Sequence, residues 1–218
     1  MAAPRGVTLK LATSLDGRIA TALGESRWIT SAESRQIVHR LRADHDVVLV
    51  GLETALVDDP ELTVRLDGYD GPQPARGVLD SRQRLPLGSR LVQGAKQIRT
   101  LVLTTERPSP DLLAKGVEVI QVAPNKEGRP DPAATVAALT ELGMHRIMIE
   151  GGGRVAVSFL GAGLVDRIEW FRAPLVLGAG GRAAVGVLAM QALADAPRFA
   201  RIDASAVGPD LWERYERA

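Results

Sequence analysis

No cysteine occurs among the 218 residues of this sequence. Its absence excludes disulfide bonds, thiolate metal ligands and a thiol nucleophile. Histidine is also scarce, because only His39, His45 and His145 are present. These three are scattered along the chain, which argues against a histidine-based zinc site.

An excess of one charge sign is missing as well. Lysine and arginine total 27 against 26 aspartate and glutamate residues, so the formal net charge is +1. This balance gives no electrostatic basis for binding nucleic acid or a membrane surface. No apolar run has the length of a membrane span, and the N-terminus lacks the charged-then-apolar pattern of a signal peptide. We therefore expect a cytoplasmic protein.

The composition that remains, 45% hydrophobic and 24% charged, is ordinary for a globular protein. Strand and helix patterns alternate from about residue 30 to 165, which predicts an α/β fold with a mostly parallel sheet and helices on both faces. The predicted strands are 7–12, 47–50, 76–80, 99–104, 117–122, 146–149, 166–171 and 175–177. Residues 200–206 and 211–215 are predicted to pair as an antiparallel hairpin at one edge. We expect a single domain over 1–218.

The segment from 146 to 160 combines a buried strand, a glycine turn and an apolar segment with helical spacing. Glu150 ends the strand, and Gly151, Gly152 and Gly153 follow it. This geometry lets backbone N–H groups and a helix N-terminus approach a phosphate closely. The segment is neither GxGxxG nor GxxxxGK. A tight turn between two packed elements is the alternative, and the carboxylate at the turn favours a site.

Three other features each allow two interpretations. Lys10 lies between leucines in a strand and points either to solvent or into a pocket. Trp28, in a polar loop, either forms a platform for a ligand or packs over the edge of the core. Asp58, Asp59 and Pro60 resemble a carboxylate metal pair, but adjacent loop residues point apart, so we interpret them as a turn.

Seven segments, taken in order, resemble one family. They are KLATSLDGRIA, GESRWIT, a helix ending in LRA, VLVGLETALVDDPELTVR, VLDSRQRLP, IEGGG and APLVLG. Together they resemble the pyrimidine reductases of riboflavin biosynthesis, which often form the C-terminal half of a bifunctional deaminase–reductase. The HxE and PCxxC patterns of the zinc deaminase half are absent, so we expect a stand-alone reductase.

The resemblance implies a dihydrofolate-reductase-like fold, NADPH as the hydride donor, and a homodimer formed through residues 200–215. The implied reaction reduces the ribosyl group of 5-amino-6-(5-phosphoribosylamino)uracil, or of its 2,5-diamino analogue, to the ribityl form. Two alternatives stay open at this point. One is a dihydrofolate- or pterin-type reductase, and the other is a non-catalytic nucleotide-binding module.

The family's functional residues carry over to matching positions. Lys10 and Glu150 are the implied catalytic pair, able to orient the opened sugar or supply a proton. The substrate would be bound by Ser26, Arg42, Leu62, Arg65 and Glu150. NADPH would be bound by Thr13, Trp28, Thr30, Thr54, Asp58, Ser81 and Arg82 and by the turn residues Gly151, Gly152, Gly153, Arg154, Val155, Ala156, Val157 and Ser158. Arg82 is the candidate for the 2′-phosphate because it follows Ser81 directly. Thr13 departs from the family, where a smaller residue is frequent.

Overall fold

The structure, a computed structural model, describes residues 5–218. Over these residues the chain forms two compact units. The first is His39–Met148, and the second combines Gly6–Val38 with Ile149–Ala218. A single domain over 1–218 stays a prediction, and its first four residues lie outside the described part.

The elements follow one another in this order. They are β1 Gly6–Thr13, β2 Arg18–Ala20, α1 Ala32–Ala43, β3 Val47–Gly51, α2 Leu52–Asp58, β4 Ala75–Leu79, α3 Arg90–Gln93, β5 Thr100–Thr104, α4 Pro110–Ala114, β6 Glu118–Gln121, α5 Pro132–Glu141, β7 Arg146–Glu150, α6 Gly153–Gly161, β8 Arg167–Arg172, β9 Arg182–Ala183, a 3₁₀ helix Leu193–Asp195, β10 Phe199–Val207 and β11 Asp210–Arg217.

The His39–Met148 unit contains a parallel sheet in which β3 pairs with β4, β4 with β5 and β5 with β6. Helices connect these strands, as parallel pairing requires. The strands are continuous apolar runs because both faces of such a sheet are covered. One core cluster joins strand and helix residues, namely Val48, Val50, Val78 and Val102 with Leu52, Ala55, Leu91, Val92 and Leu112. Each of the larger side chains stabilises the fold by about 1.5–3 kcal/mol through burial.

The second unit contains strands in the order β10, β11, β8 and β1. β1 and β8 are parallel, whereas β8 pairs with β11 and β11 with β10 in antiparallel fashion. The predicted C-terminal hairpin is therefore confirmed. So is the predicted fold class, with a mostly parallel sheet, flanking helices and antiparallel C-terminal strands.

The first helix, α1, begins at Ala32, directly after Ser31. The Ser31 hydroxyl accepts a hydrogen bond from the Ser34 amide at 3.2 Å, as an N-cap residue does. The Asp210 carboxylate accepts two more, from the Ser31 amide at 2.7 Å and the Ser34 hydroxyl at 2.6 Å. The start of α1 is thus attached to the first residue of β11.

The prediction of a strand over 175–177 is wrong. This segment hydrogen-bonds to the turn around Asp16 rather than to a neighbouring strand, because the Asp16 carboxylate accepts from the amides of Leu177 at 3.1 Å and Gly178 at 2.7 Å. The Leu175 carbonyl accepts from the Leu15 amide at 2.8 Å. A side chain and a turn therefore satisfy backbone groups that a strand would have paired with another strand.

Candidate functional site

The glycine turn has the predicted geometry of strand, turn and helix. β7 is buried up to Glu150, which is 8% exposed. Gly151 and Gly152 follow with φ values of 83° and 84°, a left-handed region that glycine adopts without steric cost. α6 then begins at Gly153, and Gly152 supplies no side-chain cap. The first amides of α6 are therefore oriented to interact with an anion.

A segment that the sequence did not indicate covers one side of this turn. A Cβ built on Gly153 would lie 2.7 Å from the Ala183 carbonyl oxygen. The Gly186 amide donates to the Gly153 carbonyl at 2.9 Å. Only glycine permits this approach, so Gly153 holds the 183–186 segment, while half-buried Gly151 and Gly152 and exposed Arg154 remain accessible to a ligand.

The remaining residues assigned to this helix act differently. Val155 and Ala156 are buried at 9% and 2% exposure. The Ser158 hydroxyl donates to the Val155 carbonyl at 2.9 Å, and Val157 is half-buried. Because their side chains are committed to packing and to a helix hydrogen bond, contact with a phosphate is left to backbone groups at the start of α6.

Lys10 and Thr13 lie on β1, near aromatic residues of β8. The half-buried Lys10 ammonium nitrogen is 6.0 Å from the centroid of the Phe171 ring. The fully buried Thr13 hydroxyl donates to the Ser14 carbonyl at 2.8 Å and accepts from the Trp170 indole N–H at 2.8 Å. Since its proton is already engaged, Thr13 can contact a ligand only through its methyl group, its backbone or a remaining lone pair.

Asp16 is a structural residue of this unit that its local sequence does not single out. Besides the amides at 177 and 178, its carboxylate accepts from the Ser14 hydroxyl at 2.7 Å. The hydrogen bond from Ser14 and those from the backbone amides lower its pKa to about 2. Asp16 is therefore ionised at neutral pH and joins two of the family-like segments, SLDG and APLVLG.

Trp28 is an exposed aromatic surface, with 70% of the residue accessible. The guanidinium carbon of Arg35 lies 4.4 Å from the ring centroid, and that of Arg27 lies 5.9 Å away. Arg35 is held by donating to the Thr30 carbonyl at 2.9 Å. The platform interpretation fits this geometry better than packing over the core, because the exposed indole can stack on a planar ring. Ser26 lies half-buried in the same loop.

In the other unit, two predicted phosphate-binding arginines meet at one residue. Arg42 donates to the Thr63 carbonyl at 2.9 Å, and Arg65 donates to the Thr63 hydroxyl at 3.2 Å. Arg65 also forms an ion pair with Glu61 at 3.1 Å. His39, which the sequence reading did not single out, places its Nδ1 3.1 Å from the Thr63 carbonyl and 3.3 Å from the Arg65 amide.

The segment that carries these groups has a constrained backbone. Leu62 has φ of 55°, uncommon for a residue with a branched side chain, and the residue is only 3% exposed. Its part in binding would therefore fall to its backbone. Arg76, 2% exposed, supports the segment by donating to the Glu61 carbonyl at 3.4 Å. Its guanidinium also donates to the Thr100 hydroxyl and the Leu91 carbonyl, and burial lowers its pKa.

The other cofactor candidates of this unit follow neighbouring parallel strands. Thr54 and Asp58 are one helical turn apart on α2, which comes directly after β3. Ser81 and Arg82 come just after β4, and the Ser81 carbonyl accepts from the Thr104 hydroxyl at 3.0 Å. The carboxyl ends of adjacent parallel strands are where such sheets bind ligands. Across residues 5–218 we find no group of three or more His, Asp or Glu side chains arranged to hold a metal ion.

The family model described as RibD C-terminal domain matches residues 5–212. The chain belongs to this family. The riboflavin biosynthesis protein RibD of Aquifex aeolicus is 35% identical over 213 residues, covering 97% of this chain. The chain spans 57% of that relative's length, so it corresponds to part of RibD. The 2,5-diamino-6-ribosylamino-4(3H)-pyrimidinone 5′-phosphate reductase of Methanothermobacter thermautotrophicus is 35% identical over 211 residues, covering 96% of each protein.

Solved structures agree with this membership. Acinetobacter baumannii RibD matches with a TM-score of 0.85 and 30% identity, over 98% of this chain and 58% of the other. The riboflavin biosynthesis reductase Rib7 of Saccharomyces matches with a TM-score of 0.75 at 22% identity, over 98% and 90% of the two chains. The second match bears on the fold alone. Along the described part of the chain, every helix is too short or too polar to cross a membrane.

Proposed function

We propose that this protein is an NADPH-dependent reductase that converts the ribosyl group of a phosphoribosylamino-pyrimidine to the ribityl form. The substrate is 5-amino-6-(5-phosphoribosylamino)uracil or its 2,5-diamino analogue. The observation that carries the proposal is the convergence of Arg42 and Arg65 on Thr63. Two guanidinium groups that hydrogen-bond to the same residue suit a phosphate dianion, because paired charge-assisted hydrogen bonds bind such an anion best. A pterin ring carries no phosphate for them to bind.

The residues at the glycine turn fit the pyrophosphate of NADPH. Two left-handed glycines and the uncapped start of a helix present amides without an obstructing side chain. Trp28 offers an exposed ring for stacking, and Ser81 lies at the carboxyl end of β4. When bound, the nicotinamide supplies the hydride that the open-chain form of the sugar requires at C1′.

Lys10 and Glu150 are the proposed catalytic pair, with Glu150 accepting hydrogen bonds from the substrate and Lys10 supplying a proton or orienting the opened sugar. Both are at least partly withdrawn from solvent, where charged groups act more strongly than in bulk water. Replacing Lys10 by methionine should lower the turnover rate at saturating substrate. An unchanged rate would exclude Lys10 from catalysis.

The direct test follows NADPH oxidation at 340 nm with three substrates measured side by side. They are the phosphoribosylamino-uracil, its 2,5-diamino precursor and dihydrofolate. Turnover of either phosphoribosyl compound supports the proposal and decides whether reduction precedes deamination. Turnover of dihydrofolate alone would overturn it in favour of a pterin reductase, and binding of NADPH without oxidation would indicate a nucleotide-binding module.

We also propose a cytoplasmic location and a homodimer formed through β10 and β11, as the family resemblance implies. The position of β10 supports the second proposal. Within the described residues of its unit, β10 pairs with β11 along one edge and ends the strand order. An edge strand leaves backbone donors and acceptors available for another chain.

A further inference from the structure

Glu169 is a buried carboxyl group that has no part in the proposed reaction. It lies on β8, is 8% exposed and accepts a hydrogen bond from the Trp212 indole N–H at 2.7 Å. An acidic side chain is rarely buried to this extent unless it has a partner. Glu169 and Trp212 therefore fix each other's position between the neighbouring strands β8 and β11.

The hydrogen bond holds Trp212 against a second aromatic ring. Trp212 stacks on Phe171, with 5.6 Å between the ring centroids and 3° between the ring planes. The two residues are directly opposite in the register of β8 and β11. Phe171 is two residues beyond Glu169, so both side chains point to the same face of the sheet. An indole held at its N–H cannot turn away from Phe171 without losing the bond to Glu169.

Lys10 lies on this same face, on the other side of Phe171. The register of β1 and β8 pairs Lys10 with Glu169. The Lys10 ammonium nitrogen lies over the Phe171 ring, 6.0 Å from its centroid. This is about the distance within which an aromatic ring attracts a cation. Lys10, Phe171 and Trp212 thus form one row, which we call the aromatic row, and Glu169 holds it at the Trp212 end.

The hydrogen bond from Trp212 does not require Glu169 to be ionised. Burial raises the pKa of Glu169 to about 7, and Asp203 raises it further. The Trp212 hydrogen bond and the charges of Arg214 and Arg167 oppose this rise. Both the carboxylate and the carboxylic acid have an oxygen that can accept from an indole N–H. A glutamine at this position would therefore keep the hydrogen bond, whereas an apolar residue would lose it.

We propose that Glu169 is a positioning residue for the reductase reaction, because it holds Trp212 on Phe171 and thereby keeps the Lys10 ammonium group in place. This inference rests on the proposed function, in which Lys10 supplies a proton or orients the opened sugar. A catalytic group has to be held within about 0.5 Å of its productive position by side chains that are themselves packed and hydrogen-bonded. Glu169 acts through two aromatic rings and needs no contact with the substrate.

The first experiment compares two substitutions of Glu169 by steady-state kinetics. Glu169→Leu removes the acceptor and fills the buried site with an apolar group. We expect kcat to fall about threefold to tenfold with little change in KM, since the attraction of an ammonium group to an aromatic ring corresponds to about this factor. Glu169→Gln should restore kcat, because it still accepts from Trp212. A loss that glutamine does not restore would overturn the inference.

Glu216→Leu is the matched control for these kinetics. Glu216 is four residues beyond Trp212 on β11, so its side chain is on the same face of the sheet. Its carboxylate accepts from the Arg167 guanidinium at 3.2 Å. The variant therefore removes a carboxylate from the same face without removing the acceptor of Trp212, and its kcat should equal that of the wild type.

The second experiment observes Lys10 directly by NMR. The chain contains four lysines, so lysine-selective ¹³C labelling gives a simple spectrum in which Lys10→Met identifies the Lys10 signal. The ring current of Phe171 acts on this signal. Glu169→Leu should move it, and Glu169→Gln should leave it as in the wild type. Either an unmoved Lys10 signal or an unchanged kcat in Glu169→Leu would overturn the inference. A wild type that reduces no phosphoribosyl substrate would overturn the proposed function, whereas the NMR comparison would still decide whether Glu169 positions Lys10.

Discussion

Arg42 reaches Thr63 from α1, and Arg65 reaches it from the same loop, so the identity of each side chain matters. The planar Arg42 guanidinium donates to the Thr63 carbonyl and has further N–H groups that can bind a phosphate. Replacing Arg42 by lysine keeps the charge but removes this planar set of donors. We expect KM for the phosphoribosyl substrate to rise about tenfold, with a smaller change in kcat.

Steady-state kinetics of Arg42→Lys checks this expectation. Arg40→Lys on the same helix is the matched control, because Arg40 is exposed. An unchanged KM in the Arg42 variant would assign the phosphate to other groups.

Glu169 predicts a pH dependence of stability. The residue is 8% exposed, and burial raises its pKa to about 7, although the Trp212 indole N–H and the nearby Arg214 and Arg167 oppose the rise. Asp203 raises the pKa of Glu169 further, and Lys10 lies opposite Glu169 in the register of β1 and β8. The ordinary pKa of this group is 4.5, and its pKa in the folded state is about 7. At a pH between these two values the folded state therefore holds the proton, whereas the unfolded chain has released it.

Stability should accordingly fall as pH rises through this window, by at most about 3 kcal/mol. Glu169→Gln keeps an acceptor for Trp212 and removes the ionisable group, so it should be more stable than the wild type at pH 8 and lose most of this pH dependence. Urea unfolding at pH 5 and pH 8 measures both effects, with exposed Glu118→Gln as the control. Identical pH profiles for Glu169→Gln and the wild type would refute this account.

The roles of individual residues could be predicted from the sequence only where a residue type is unusual for its position. Glu150 at a strand end and Lys10 between leucines stood out for this reason. Asp16 and Arg76 did not, because their roles depend on backbone groups more than ten residues away. Local patterns contain no information on such partners.

At the scale of elements, the start of α6 depends on the absence of a side chain. Gly153→Ala would place a methyl group against the Ala183 carbonyl, where the available distance is 2.7 Å. We expect a loss of about 1–3 kcal/mol in the free energy of unfolding, together with weaker NADPH binding as the turn shifts.

Gly161→Ala at the other end of α6 is a close control. There an added Cβ meets nothing nearer than 3.7 Å, and alanine favours the helix. Chemical denaturation of the two variants compares them directly. Equal stabilities would mean that the 183–186 segment moves away at no cost.

Elements with a continuous apolar pattern were predictable, and those specified by distant partners were not. β3 and β5 are buried runs that read as parallel strands. α2 has no strong sequence signal, because its N-cap is Gly51, which has no capping side chain, and it is only seven residues long. The 175–177 segment has an apolar strand-like sequence, yet Asp16 holds it out of the sheet.

For the whole molecule, seven ordered segments identified the family although no single segment could. The seven segments indicate the same family because they belong to one fold, in which distant parts of the chain must be compatible with one another. What they could not give is the set of contacts inside each unit. Gln83 shows this, since its side chain donates to the Arg107 carbonyl 24 residues further along the chain.

The proposed dimer provides a prediction at the same scale. Ile202 lies on β10 at the irregularity in register between Arg201 and Asp203, and it is 51% exposed. A lysine on an edge strand disfavours pairing with another strand, because the charge would have to be desolvated. Ile202→Lys should therefore shift the protein from dimer towards monomer, as measured by light scattering coupled to size-exclusion chromatography. Leu113→Lys on α4, at 48% exposure, adds the same charge away from β10 and should leave the mass unchanged. If Ile202→Lys stays dimeric, the second subunit associates through a different surface; if the wild type is already a monomer, the dimer proposal fails.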